Sequence, residues 1–196
     1  MSERGLRQRK KAAAMSHIQK TALELFTERG FTSVTVEEIA SAAGFSPSTV
    51  YRHFGTKEGI VVRDEHDDRA EQLIERELAT LDQSLGEAIR KVLDAINEEQ
   101  FVTERDVSMA RIRLCLQVET LRAASVLEAA KASLRYADLI HRLRSIPIEE
   151  ARILSSAIVS AIFSALVNWY GDGADRPWIA YCSQALDMLE GTLASY

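Results

Sequence analysis

Cysteine, proline and glycine are scarce in this chain: its 196 residues include 2 Cys, 3 Pro and 9 Gly. Cys115 and Cys182 sit far apart in apolar surroundings, with no Cys-x-x-Cys and no His at ligand spacing. That excludes a disulfide framework and a cysteine-built metal site, and it predicts a reduced, cytoplasmic protein. So little Pro and Gly excludes a loop-rich or low-complexity chain, and no stretch alternates apolar and polar residues as a strand does. Also missing are a G-x-S-x-G elbow, a phosphate-binding loop and paired carboxylates beside a nucleophile, so no enzyme chemistry, cofactor or metal is implied. The basic start, Arg4 to Lys11, leads into alanines and an amphipathic helix rather than an apolar leader. The one long uncharged run, Ile153–Gly171, carries Ser155, Ser156, Ser160, Ser164 and Asn168, which favours a buried interface helix over a membrane span.

What is present is apolar and charged: 46% hydrophobic and 27% charged residues, the balance of a globular, helix-rich protein. The net charge of −5 is unevenly spread. Residues 1–65 hold ten Lys/Arg against eight Asp/Glu, whereas 66–196 hold fourteen against twenty-one. An acidic body behind a basic leading segment fits a nucleic-acid-binding head on a body that does not bind it. The expected division is a basic flexible arm over 1–15, a head over 16–60 and a body over 61–196. The acidic run Asp64-Glu65-His66-Asp67-Asp68 resembles a metal cluster, but on a helix those residues fan round the axis, which predicts a solvated acidic face.

Local signals resolve the head into short helices. Ile18, Ala22, Leu25 and Phe26 repeat at helical spacing from Ser16 to Arg29, and Gly30 stops the run. Thr35 precedes Glu38 by three, the spacing of a capping box, so a helix runs over 36–42 and Gly44 ends it. Ser46-Pro47 is an N-cap followed by Pro at the first helical position, opening a helix with Val50, Tyr51 and Phe54. Two short helices joined by a tight glycine turn are a helix-turn-helix, whose second helix offers its N-terminal residues, here Ser46, Ser48 and Thr49, to the major groove. Thr56 then caps a single helix expected to reach about Ala79. Further helices follow over Ser84–Asn97, Asp106–Val118 and Leu121–Leu143, and Pro147 and Asp175-Arg176-Pro177 open a final hairpin. The fold class is therefore all-α, with about nine helices.

The residues Ala22-Leu23-Glu24-Leu25-Phe26, Gly30-Phe31, Thr35 to Ala40, Ala43 to Ser46, Tyr51 to Phe54 and Lys57-Glu58 resemble, in order and spacing, the DNA-binding domain of TetR-family repressors. The resemblance implies a homodimer on a near-palindromic operator, released when a small ligand enters the helical C-terminal domain. It also implies that Tyr51 and Lys57 touch phosphates and that Thr35 sits at the backbone-facing start of the second helix; Arg52 and His53 vary in the family. Gly59 departs from the better helix former often found at its place, and is expected to loosen that junction by up to ~1 kcal/mol relative to Ala. From the chemistry of the residues, Lys10, Lys11 and Lys57 are candidates for phosphate neutralisation, and Ser48, Thr49 and His53 for base edges.

For the body, residues 84–170 resemble more weakly a TetR subgroup taking acyl-CoA-like ligands, through Ala110 to Leu114 and Asn168-Trp169. Arg111 and Arg113 are candidate anion contacts or surface ion pairs. His141 interrupts the stripe Leu127, Ala130, Leu134 and Ala137 as a ligand group or a satisfied core residue. Tyr136 and Trp169 are candidate pocket walls or core. Ser156, Ser160 and Ser164, beside Ala161 and Ala165, form a small-residue face that a second copy can approach closely, with Leu186 and Leu189 of the last helix completing a four-helix bundle. An activator, or a ligand-independent DNA-binding protein of the same fold, shares all these features.

Overall fold

The computed structural model describes residues 3–63 and 67–194, with side chains over 11–63 and 71–190. Ten α-helices and no strand are found among the described residues, one helix more than expected. They fall into two compact units: residues 1–67 with 106–125, and residues 68–105 with 126–196.

In the first unit, α1 spans Glu3–Arg29, starting well before Ser16 and running through residues expected to form an arm. Ala12, Ala13 and Ala14 are the strongest helix formers, and Met15 is buried in the core, so the helix has both propensity and an anchor there. A 3-10 turn at Phe31–Ser33 leads into α2 (Val36–Ala42), followed by α3 (Pro47–Phe54) and α4 (Lys57–Val62). Between α2 and α3, Gly44 adopts φ 73°, and the amides of Gly44 and Phe45 donate to Ser41 O and Ala40 O. This paired closure of a helix end needs the left-handed conformation that glycine supplies, and it sets the sharp angle of the helix-turn-helix. Ile18, Ala22, Phe26, Ile39, Val50 and Phe54 fill the core. Two later helices contribute to this same unit: α7 (Arg105–Gln117) and the start of α8 (Glu119–Arg144). Leu121 is fully buried in the head core, with Leu114, Cys115 and Val118 packed against it.

The single helix expected from Thr56 to Ala79 is interrupted. Arg63 is extended (φ −93°, ψ 143°) and closes α4, while α5 covers Asp67–Ala79. The buried Gln19 amide of α1 donates to Ile60 O at 3.0 Å and to Arg63 O. A side chain from another helix thus takes carbonyls that a continuing helix would use. Asp64, Glu65 and His66 of the acidic run lie outside the described residues, as do the side chains of Asp67 and Asp68.

The second unit comprises α5, α6 (Leu85–Ile96), a π-helical turn at Asn97–Thr103, most of α8, α9 (Ile148–Gly171) and α10 (Trp178–Ala194). Arg144, at the end of α8, donates to Thr80 O (3.0 Å) and Gln83 O (2.6 Å), closing the chain reversal after α5. Leu78, Ala88, Ala137, Ile140 and Ala151 form one core cluster. Between α9 and α10, Phe101 of the π turn stands edge-on to Trp169 and stacks on Trp178 at 4.4 Å.

Candidate nucleic-acid interface

The second helix of the helix-turn-helix, α3, begins with a cluster of hydroxyls. Ser46 Oγ accepts from the Thr49 amide (3.2 Å) and lies 3.0 Å from Ser48 Oγ and 2.9 Å from Thr49 Oγ1. Ser46 therefore caps the helix, and it joins Ser48 and Thr49 into a small polar group at the helix end where backbone N–H groups also point outward. Tyr51 is 46% exposed, and Arg52 is exposed beside it. Val50 and Phe54, on the opposite side of the same helix, are buried. One face thus holds α3 in the core, and the other presents Ser46, Ser48, Tyr51 and Arg52 to the exterior.

Thr35 caps α2 through the full reciprocal box: the Glu38 amide donates to Thr35 Oγ1 (3.2 Å) and the Thr35 amide to Glu38 Oε2 (2.8 Å). The carboxylate also receives Arg29 Nη2 at 2.7 Å. The Thr35 amide first, then the Arg29 and Thr35 side chains, hold the Glu38 carboxyl down at about 2. His53 is half-buried, and that desolvation, followed by the positive charges of Arg52 and Lys11, pushes its pKa below the usual histidine value. At neutral pH it is an uncharged hydrogen-bonding group in basic company rather than a cation. The same influence brings Lys11, of α1, into the electrostatic neighbourhood of α3. The side chain of Lys10 lies outside the described residues.

Lys57 has an inward role that its spacing did not reveal. Its ammonium donates to Phe31 O (2.7 Å) and Val34 O (2.9 Å) and sits 4.3 Å from the Phe31 ring centroid. Two of its three donors tie the start of α4 to the turn after α1.

In the second unit, an apolar cavity of about 270 Å³ lies among α5, α6, α8 and α9. Tyr136 is the one sequence-expected ligand residue in its wall. Trp169 is not: it is fully buried in the α9–α10 hairpin, its Nε1 donating to Arg176 O at 2.7 Å. His141 is exposed, with Nδ1 2.8 Å from Ile146 O at the end of α8. Arg111 and Arg113 belong to the first unit, on α7. The wall is built instead by Leu85, Ile89, Val92, Ile96, Ile158 and Ile162 among others. Those stripes on α6 and α9 look like ordinary core in a sequence. A cavity emerges only from how far apart the helices stand.

On α9, Ser156, Ser160 and Ser164 are exposed and Ala161 is half-buried, whereas Ala165 is buried inside the unit. On α10, Leu186 is buried and Leu189 half-buried. Ala165 and Leu186 are thus already covered within the chain's own hairpin, which removes them from any face offered to a second copy. By length and composition α9 could cross a membrane, though little of it is buried inside this chain.

Residues 18–63 match the family described as bacterial regulatory proteins, tetR family. The HTH-type transcriptional regulator TcmR of Streptomyces glaucescens is 26% identical over 195 residues, covering 94% of this chain and 81% of that protein. Among solved structures, native NalD, the secondary repressor of the MexAB-OprM multidrug efflux pump in Pseudomonas aeruginosa, superposes with a TM-score of 0.58. It shares 24% identity and covers 91% of this chain and 96% of its own. Thermus thermophilus FadR, a TetR-family transcriptional repressor in complex with lauroyl-CoA, gives a TM-score of 0.56 at 24% identity, covering 89% and 92%. At such identity the two structures establish a shared fold. With residues 18–63 matching the family over α1 to α4 and the helix-turn-helix built and capped as described, the head of this chain is a DNA-binding domain of the tetR type.

Proposed function

We propose that this protein is a ligand-responsive repressor that binds a near-palindromic operator as a homodimer and is released by a small-molecule effector. The observation that carries the reading is the division of α3 into a buried face, Val50 and Phe54, and an outward face, Ser46, Ser48, Tyr51 and Arg52. Thr49 and neutral His53 join the hydroxyl group in reading base edges, and the Tyr51 hydroxyl, Arg52, Lys10 and Lys11 meet phosphates. Thr35 orients α2, and Lys57 braces the head while offering its remaining donor. The protein acts by binding rather than catalysis, in the bacterial cytoplasm where its operator lies. The effector occupies the second unit's cavity and favours one packing of the helices around it. That packing shifts the connecting segment 57–79 and the spacing of two reading helices, which must match adjacent major grooves about 34 Å apart.

The test is fluorescence anisotropy of the full chain on DNA flanking its own gene, over a salt series. Sequence-selective binding that weakens with salt is expected. Arg52→Ala should make log K less steep in log salt by about 0.9, the loss of one phosphate contact. Tyr51→Ala should weaken operator and random DNA alike, by about tenfold (~1.4 kcal/mol). Absence of selective binding on flanking and genome-wide DNA fragments would overturn the proposal.

A further inference from the structure

The cavity of the second unit carries chemical information about what it takes, on the reading above that it is the effector site. Among the described residues, no Asp, Glu, Lys, Arg or His lines it. Its polar members are Tyr136 and Ser155, and the buried Ser155 hydroxyl already donates to Ser133 O at 2.6 Å, leaving its oxygen only as an acceptor. An ionised carboxylate or phosphate placed here would give up its water without meeting a counter-charge. Aliphatic side chains from four helices make up nearly all the rest of the wall, so the favourable contribution is burial of apolar ligand surface. Size sets a further bound. An apolar cavity of about 150 Å³ holds benzene; at about 270 Å³ this one suits roughly ten to fifteen non-hydrogen atoms by the same scale.

We infer that the effector is an uncharged, predominantly apolar molecule of roughly ten to fifteen non-hydrogen atoms, carrying at most one hydroxyl- or amide-like donor, which Ser155 Oγ accepts. An acyl thioester of a nucleotide cofactor does not fit this description: its phosphates require basic groups, and none is found among the described residues of the wall. The cavity separates ligands by charge first and by length second.

The experiment is displacement of the neutral fluorophore 1-naphthylamine, which lies within this size range, from the full-length protein at pH 8 by 1-decanol, decanoate and decanoyl-CoA. The first two share a chain and differ in head-group charge. Decanol is expected to displace the fluorophore at a concentration at least tenfold below decanoate. Fluorophore binding is expected to fall at least tenfold in Ala132→Phe and in Val159→Phe, each of which fills the cavity from a different helix, with circular dichroism reporting native helix content. Tighter binding of decanoate or decanoyl-CoA than of decanol would overturn the ligand class. So would absence of fluorophore binding, and binding unchanged in both folded variants would overturn the site. None of these measurements involves DNA. Failure of the repressor reading, seen as missing operator binding, is therefore distinguishable from failure of this one.

Discussion

Gly59 shows how one residue can reverse sign between sequence and structure. In the first turn of a helix, glycine is a weak former, and alanine is expected to stabilise by up to ~1 kcal/mol. In the structure a Cβ at position 59 would run into the carbonyl oxygen of Phe54, the last residue of α3, with Thr56 Oγ1 at 3.5 Å on another side. Backbone cannot retract as a flexible side chain can, so Gly59 is what lets α4 begin so soon after α3 ends. Gly59→Ala is accordingly expected to destabilise the protein by about 1–3 kcal/mol through overpacking. Urea denaturation checks this as a lower midpoint at unchanged slope; equal or greater stability would restore the propensity argument. The Thr35–Glu38 box and the Ser46 cap were legible in the sequence because their partners are three residues apart. The inward bonds of Lys57 were not, since Phe31 and Val34 lie 26 and 23 residues away.

At the scale of elements, boundaries set by local chemistry were readable and those set from a distance were not. Capping residues placed the starts of α2, α3 and α4, and Gly44 placed the reading turn. The end of α4 depends on Gln19, 41 residues earlier in the sequence. The π turn after α6 holds Phe101 against Trp169 and Trp178, a meeting no periodicity announces. The cap of α2 also gives this element a pH dependence. Glu38 binds its proton less readily folded, at about 2, than at its ordinary value of 4.5, so its ionised form favours the folded state. The stabilisation is fully present above pH 4.5 and is lost as pH falls towards about 2. Glu38→Gln is expected to melt below the parent at pH 6, with the difference in Tm shrinking as pH drops through that window. A difference independent of pH in thermal melts would show that the carboxylate charge is not what closes the box.

For the whole molecule, the sequence predicts the all-α class, the helix-turn-helix and the small-residue face of α9, while the cavity depends on helix separations that no linear pattern encodes. That face bears on the proposed dimer. Ser156, Ser160 and Ser164 line its exposed side one turn apart, Ile153 is 71% exposed on the same helix, and Met188 of α10 is 63% exposed. The Ser164 hydroxyl donates to Ser160 O at 2.9 Å, so its proton is satisfied within the helix, and a second helix can approach without stranding it. Small side chains and scattered large apolar ones, on a helix this apolar, suit a two-fold contact between copies. In such a contact each position near the axis faces its own symmetry mate, and a single Ser160→Arg brings two like charges together in a desolvated setting. The expected outcome is dissociation to monomer in sedimentation velocity, with helix content retained. Operator affinity should then fall at least 100-fold, because the second half-site is no longer held at high effective concentration. Binding to an isolated half-site should stay unchanged, since α3 is untouched. A variant that remains dimeric with full operator affinity would place the pairing surface away from the centre of α9, and with it the lever by which a filled cavity resets the distance between the two reading helices.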